Sequence, residues 1–76
     1  MEEKTFRHYV KDLGHLLKER ALEAKRNAQG SSDSYDRGFL MAFYEVISLM
    51  QSQALAFGIE LDDVGLAGIN PDSDLL

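Results

Sequence analysis

Apolar residues in the first third of the chain recur at steps of three and four, the spacing that places side chains on one face of a helix. This pattern predicts a helix over residues 5–28, with Gly30 as its stop. Gly14 lies inside the predicted helix, where a glycine costs about 0.5 to 1 kcal/mol relative to alanine. Close contact with another helix would explain its presence. The apolar residues of this face are Phe6, Val10, Leu13, Leu17, Ala21, Ala24 and Ala28.

A second helix is predicted over residues 35–57, after a turn at residues 29–34 in which Asp33 is the preferred N-cap. Gly58 is its predicted stop. Its apolar residues form two stripes, and two stripes imply two neighbours. One stripe consists of Phe39, Ala42, Val46 and Leu49, and the other of Phe43, Ile47, Met50, Ala54 and Phe57.

The short turn between two long helices predicts an all-α antiparallel hairpin, in a single domain spanning residues 1–69. A lone core in a chain of 76 residues without cysteine typically supplies only about 3 to 5 kcal/mol. The remaining apolar surface needs a second copy, another protein or an enclosing tail to cover it, and we expect a second copy. Two hairpins would then form a homodimeric four-helix bundle. The predicted interface and shared core consist of Phe39, Ala42, Phe43, Val46, Ile47, Leu49, Met50 and Ala54.

Beyond residue 58 two glycines and one proline interrupt the helical pattern. They limit this region to one short helix, predicted over residues 62–66. Residues 70–76 are predicted to form a flexible acidic tail. The apolar residues between these two segments would cover the open end of the hairpin, and they are Leu61, Val64, Leu66 and Ile69.

Charge is distributed unevenly along a chain whose net charge is −5. Seven of the eight lysines and arginines lie in the first 29 residues, and only Arg37 lies beyond them. The acidic whole repels nucleic-acid phosphates at long range, so nucleic-acid binding would depend on the basic face of helix 1. A nucleic-acid-associated regulator is therefore the alternative hypothesis, and a protein-interaction role is favoured because no aromatic stacking platform accompanies the basic residues.

Glu45 is a carboxylate within an apolar run and needs a partner or an exposed position. Folding the hairpin about its turn brings Arg20 close to Glu45, which predicts a structural ion pair within the chain or across a dimer. The other interpretation places Glu45 at a narrow exposed edge of helix 2. These alternatives stay open from the sequence.

His8 and His15 lie two helical turns apart on one side of helix 1. A zinc pair on a helix is more naturally spaced by four residues, and the paired Glu-x-x-His units of a diiron bundle are absent from the sequence. We therefore predict no metal and no cofactor, and we interpret the histidines as exposed residues in contact with carboxylates one turn away.

No nucleophile elbow, phosphate loop or metal cassette occurs in the sequence. The N-terminus lacks the order of an export signal, cysteine is absent, and the apolar run after Gly38 is too polar for a membrane span. Together these features favour a small, non-enzymatic cytoplasmic protein that binds another, unidentified protein. Small bacterial and phage-encoded proteins share this general appearance, and no particular family is indicated.

Overall fold

The computed structural model describes residues 2–76 and contains two long helices followed by two short ones. Helix α1 spans Glu3–Gln29 and helix α2 spans Ser34–Ala56. A 3-10 helix, Leu61–Val64, and a four-residue helix α3, Pro71–Asp74, complete the chain, and no strand occurs within residues 2–76. The all-α helical hairpin is therefore confirmed. Met1, the first residue of the predicted domain, lies outside the described residues.

The turn of the hairpin is built from the residues that the sequence singles out. Gly30 is the C-cap of α1, and its N–H donates to the carbonyl oxygen of Ala28. The Asp33 carboxylate accepts from the Tyr35 N–H at 3.0 Å, so one of the free amides at the start of α2 has a partner. The predicted N-cap is confirmed.

Helix α2 ends in two backbone hydrogen bonds that turn the chain sharply. Gly58 has a positive φ of 70°, its N–H donates to Leu55, and the N–H of Ile59 donates to Ala54 at 2.8 Å. This pair of bonds is the Schellman motif, which favours glycine at the left-handed position. The chain is thereby redirected, and we call residues 59–76 the C-terminal segment.

The C-terminal segment lies along one side of the hairpin rather than over its open end, which corrects the sequence prediction. Three lysines of α1, spaced seven residues apart, contact successive parts of the segment. Lys11 pairs with Asp62, Lys18 donates to the Ala67 carbonyl at 2.9 Å, and Lys25 donates to Leu76 at 2.7 Å. The segment therefore runs back from the open end toward the turn.

Residues 70–76 are packed against the hairpin, so the prediction of a flexible tail is also corrected. Asn70 caps α3 by accepting from the Asp72 and Ser73 amides, Pro71 stands at its first turn, and Leu75 is 0% exposed. Helix α3, which begins at Pro71, places the Leu75 side chain in the core, where its burial stabilises the fold. The hairpin and these seven residues therefore share one core.

The core combines small residues of α1 with large residues from the other elements. Both apolar residues that α1 buries are alanines, Ala21 and Ala24, whereas α2 contributes Leu40 and Ile47. The rest of the cluster comes from the C-terminal segment and consists of Leu66, Ile69 and Leu75. The small side chains of α1 leave room for these larger ones.

At Gly14 and Gly65 the backbones of α1 and the C-terminal segment lie close together. A Cβ atom at Gly14 would stand 1.6 Å from the carbonyl oxygen of Val64, which is not possible without movement of the backbone. Gly65 has a φ of 74°, and its Cβ would stand 2.1 Å from the carbonyl oxygen of Lys11. Gly14 is thus required by close contact with the 3-10 helix of the C-terminal segment.

Candidate interaction surface

The hairpin leaves one broad apolar face uncovered. On α1 its residues are Tyr9, Leu13 and Leu16, and each is exposed. On α2 the exposed residues of the same face are Phe39, Ala42, Val46 and Leu49. We call these seven residues the uncovered face.

The uncovered face lies on the opposite side of the hairpin from the C-terminal segment. On α1 the segment contacts Lys11, Gly14 and Lys18. At 3.6 residues per turn, Tyr9, Leu13 and Leu16 point about half a turn away from those positions. The same holds on α2, where the segment is held by Tyr44 and Gln51.

The structure separates the two stripes that the sequence predicts on α2. Ile47 and Ala54 are buried within the chain, and Phe43 is half-buried against the core cluster, as is Met50. Phe57 is exposed at the end of the helix. Phe39, Ala42, Val46 and Leu49 remain exposed, and their contact with a second copy stays a prediction.

An aromatic row extends the uncovered face toward the turn. The rings of Tyr35 and Phe39 stack with centroids 5.9 Å apart, and Phe39 meets Phe43 edge to face at 5.2 Å. Such pairs fix ring positions and contribute about 0.5 to 1.5 kcal/mol each beyond their burial. The aromatic rings at this end of the face therefore contact one another within the chain.

The structure does not bring Arg20 and Glu45 together within one chain. Both residues are exposed, and no ion pair joins them in the part of the chain that the structure describes. Arg20 follows Leu16 by one helical turn and Glu45 precedes Leu49 by one, so each charge stands beside the uncovered face. Glu45 occupies the exposed position that the second interpretation gave it, and pairing with Arg20 across a dimer stays a prediction.

Much of the basic character of α1 is used within the chain. Lys11, Lys18 and Lys25 contact the C-terminal segment, and Arg7 pairs with Glu3 at 2.7 Å. Four of the seven basic residues of α1 thus have acidic or carbonyl partners. Arg7 and Lys11 have acidic partners, whereas Lys18 and Lys25 donate to carbonyl oxygens, which do not neutralise their charge.

The histidines make the contact that the sequence analysis favoured at one of the two positions. His15 Nε2 lies 2.9 Å from the Glu19 carboxylate, one helical turn away. Across residues 2–76 no group of three potential ligands among His, Asp and Glu is close enough to hold a metal ion. Over the same residues, neither long helix is apolar enough to cross a membrane.

A second surface feature, which the sequence analysis missed, lies between α2 and the C-terminal segment. We call it the side groove, an open depression of about 760 Å³. Its wall includes Tyr44, whose hydroxyl donates to the Asp72 carboxylate. This hydrogen bond, then burial and the nearby charge of Asp72, raise the pKa of Tyr44 above 10.0, while a hydrogen bond with Ser48 opposes the shift. The sequence prediction of a flexible tail at residues 70–76 gave no reason to expect a groove that these residues help to form.

Gln51 joins the same two elements from within the side groove. Its side-chain amide donates to the carbonyl oxygens of Leu66 at 3.2 Å and Ile69 at 2.9 Å. Both acceptors belong to the irregular stretch before α3, whose backbone has few partners of its own. Gln51 therefore adds a second side-chain link between α2 and the C-terminal segment, besides the Tyr44–Asp72 hydrogen bond.

Comparisons with known proteins identify no relative. The chain matches no protein-family model, no curated protein and no solved structure. The surface of the molecule offers two candidate interaction sites, the uncovered face and the side groove.

Proposed function

We propose that the protein is a small, non-enzymatic interaction or regulatory protein of the cytoplasm that acts as a homodimeric four-helix bundle. The observation that carries the proposal is the uncovered face, with apolar side chains from both helices on one side of the hairpin. Contiguous apolar areas of this kind mark interaction sites in water-exposed proteins.

The spacing of the face supports another helical hairpin as its neighbour. Tyr35, Phe39, Ala42, Val46 and Leu49 follow one another at alternating steps of four and three. That alternation is the pattern by which helices pack side by side in bundles and coiled coils. A second copy presents the same pattern, so the two faces can bury each other.

Charge supports the same arrangement. Arg20 and Glu45 stand beside the uncovered face, carry opposite charges and have no ion-pair partner within residues 2–76. In a two-fold dimer each contact occurs twice, so Arg20 of one copy can meet Glu45 of the other at two symmetric places. Pairs at the rim of an interface select orientation more than they add affinity.

The test compares the same substitution at two exposed leucines of α2. Leu49 is 64% exposed on the uncovered face, whereas Leu55 is 81% exposed beside the side groove. We expect the unmodified protein and Leu55→Glu to have the mass of two chains by light scattering, and Leu49→Glu to have the mass of one. A charge buried at the interface without a partner accounts for the difference.

Circular dichroism supplies the control for folding, because both leucines are exposed and both variants should retain full helix content. A monomeric unmodified protein at high micromolar concentration would refute the dimer. Equal masses for the two variants would show that the uncovered face is not the contact.

The nucleic-acid alternative has no observation of its own in its favour. On the basic face of α1, Lys11, Lys18 and Lys25 contact the C-terminal segment, whereas Arg26 has no ion-pair partner within residues 2–76. Binding through the remaining basic residues would fall steeply with salt, so a binding assay at two ionic strengths tests this alternative directly.

A further inference from the structure

Both exposed apolar side chains and carboxylates line the side groove. Leu55 and Ile59 are exposed along it, and Leu61 is half-buried. Glu60 and Asp72 stand at its edge, and both are exposed. Its volume of about 760 Å³ is large enough for several side chains of another molecule.

The charge of this side of the molecule has one sign. After Arg37 the sequence contains six carboxylates and no lysine or arginine. None of the residues that line the side groove, all within the described part of the chain, is a lysine, arginine or histidine. The lysines of α1 reach the C-terminal segment from its other side, so they do not neutralise the groove.

Leu55 is an exposed apolar residue beside the acidic side groove. Leu55 has the largest exposed fraction of any large apolar residue in residues 2–76, although it lies only one residue from the buried Ala54. It also lies away from the uncovered face, so a dimer formed through that face leaves it exposed. Apolar contact is therefore available here for a molecule other than the second copy.

We propose that the side groove binds a basic segment of a partner protein, with a large apolar side chain against Leu55 and Ile59 and lysines or arginines near Glu60 and Asp72. The proposal rests on the proposed function as an interaction protein and names the chemistry of its partner. Apolar burial provides the affinity, and the opposite charges orient the segment and speed its association.

The probe is a fluorescent synthetic peptide with leucines at helical steps of three and four and lysines at the other positions. Binding is followed by anisotropy with the full-length protein. We expect saturable binding that weakens as salt is added, since the charges involved are exposed. Two comparison peptides separate the contributions, one with serines in place of the leucines and one with glutamates in place of the lysines. Both should bind much more weakly.

Two pairs of protein variants locate the site. Leu55→Ser should weaken binding about tenfold, as expected for loss of one partly buried leucine contact, whereas Leu49→Ser on the uncovered face should change it less than about twofold. Glu60→Lys should also weaken binding about tenfold, and Glu23→Lys, at an exposed position of α1 outside the groove, less than about twofold. Both pairs compare identical substitutions at exposed positions.

Several results would overturn the proposal. If the serine peptide binds as tightly as the leucine–lysine peptide, apolar contact makes no contribution to binding. If the glutamate peptide binds as tightly, the carboxylates of the groove do not select a basic segment. No saturable binding below about 1 mM would show that the groove does not recognise this chemistry. A change in the oligomeric mass of Leu55→Glu would assign the groove to a second copy instead.

The two proposals fail separately. A monomer that binds the peptide through Leu55 refutes the bundle and retains the groove, because Leu49 and Leu55 lie on different sides of α2. A dimer that ignores the peptide refutes the groove and retains the bundle.

Discussion

The two sides of the hairpin differ in the residues they present, and the C-terminal segment covers only one of them. The covered side of α1 offers Gly14, Ala21 and Ala24 together with three lysines, and the irregular C-terminal segment packs on it. The uncovered side offers large apolar residues at helical steps, and these residues are exposed. The composition of each side indicates what kind of neighbour it suits.

Small residues and lysines suit an irregular neighbour for a physical reason. An irregular segment brings carbonyl groups to the surface that it covers, and each needs a donor. Lys18 and Lys25 reach over the small residues and donate to such carbonyls, while their aliphatic stems cover apolar surface. A helix has used its own carbonyls, so it packs against a side that offers only apolar side chains.

Removal of the last core side chain should have the largest effect on the covered side. Leu75 is 0% exposed, so Leu75→Ala should lower the free energy of unfolding by about 2 to 5 kcal/mol. The matched control is Leu76→Ala, whose side chain is 56% exposed and whose loss should cost far less. Urea denaturation followed by circular dichroism measures both.

Equal stability of the Leu75→Ala and Leu76→Ala proteins would show that residues 70–76 do not pack on the hairpin in solution. In that case only residues 59–69 of the C-terminal segment would cover this side of the hairpin.

A methyl group at the closest backbone contact should have the next largest effect. Gly14→Ala places a Cβ against Val64 and should displace the C-terminal segment, at a cost of about 1 to 3 kcal/mol. Gly38→Ala adds the same group to α2, where nothing lies within 4 Å. There the higher helix propensity of alanine should raise stability by about 0.5 to 1 kcal/mol.

Opposite signs for two identical substitutions are the decisive feature of this experiment. Each variant is measured by thermal and urea unfolding against the unmodified protein. If Gly14→Ala is as stable as Gly38→Ala, the 3-10 helix is not held against α1 as the structure describes.

The hairpin was predictable from the sequence because its signals are local. The apolar spacing of α1, the Asp33 cap and the Gly58 stop each act within a few residues. α1 begins two residues before the predicted helix, a difference of the size common at helix ends.

The C-terminal segment was not predictable in the same way. Its position depends on pairs far apart in the chain, such as Gly14 with Val64 and Tyr44 with Asp72. Nothing near residue 70 distinguishes a mobile acidic tail from one that buries Leu75. The side groove was missed for the same reason, since the C-terminal segment forms one of its walls.

The smallest expected effect concerns the hydrogen bond that ties α3 to α2. The Tyr44 hydroxyl donates to Asp72, and this bond is the first cause of the raised pKa of Tyr44. Because the pKa is higher in the folded protein than in the unfolded chain, the protonated phenol stabilises the fold. Its contribution is complete below the ordinary tyrosine pKa of about 10 and is lost as the pH rises through the folded-state value.

The test is a phenolate titration by ultraviolet absorbance, combined with unfolding at neutral and alkaline pH. The unmodified protein should show a component that titrates above pH 10.0, and Tyr44→Phe should lack it. Tyr44→Phe should be slightly less stable at neutral pH, and the difference should shrink at alkaline pH as the wild-type bond is lost.

Asp72→Asn is the second variant, and it should lower the pKa of Tyr44 because it removes the charged acceptor. An unchanged titration in Asp72→Asn would mean that α3 is not joined to α2 by this bond, and the covered side would then depend on Leu75 and the lysine contacts alone.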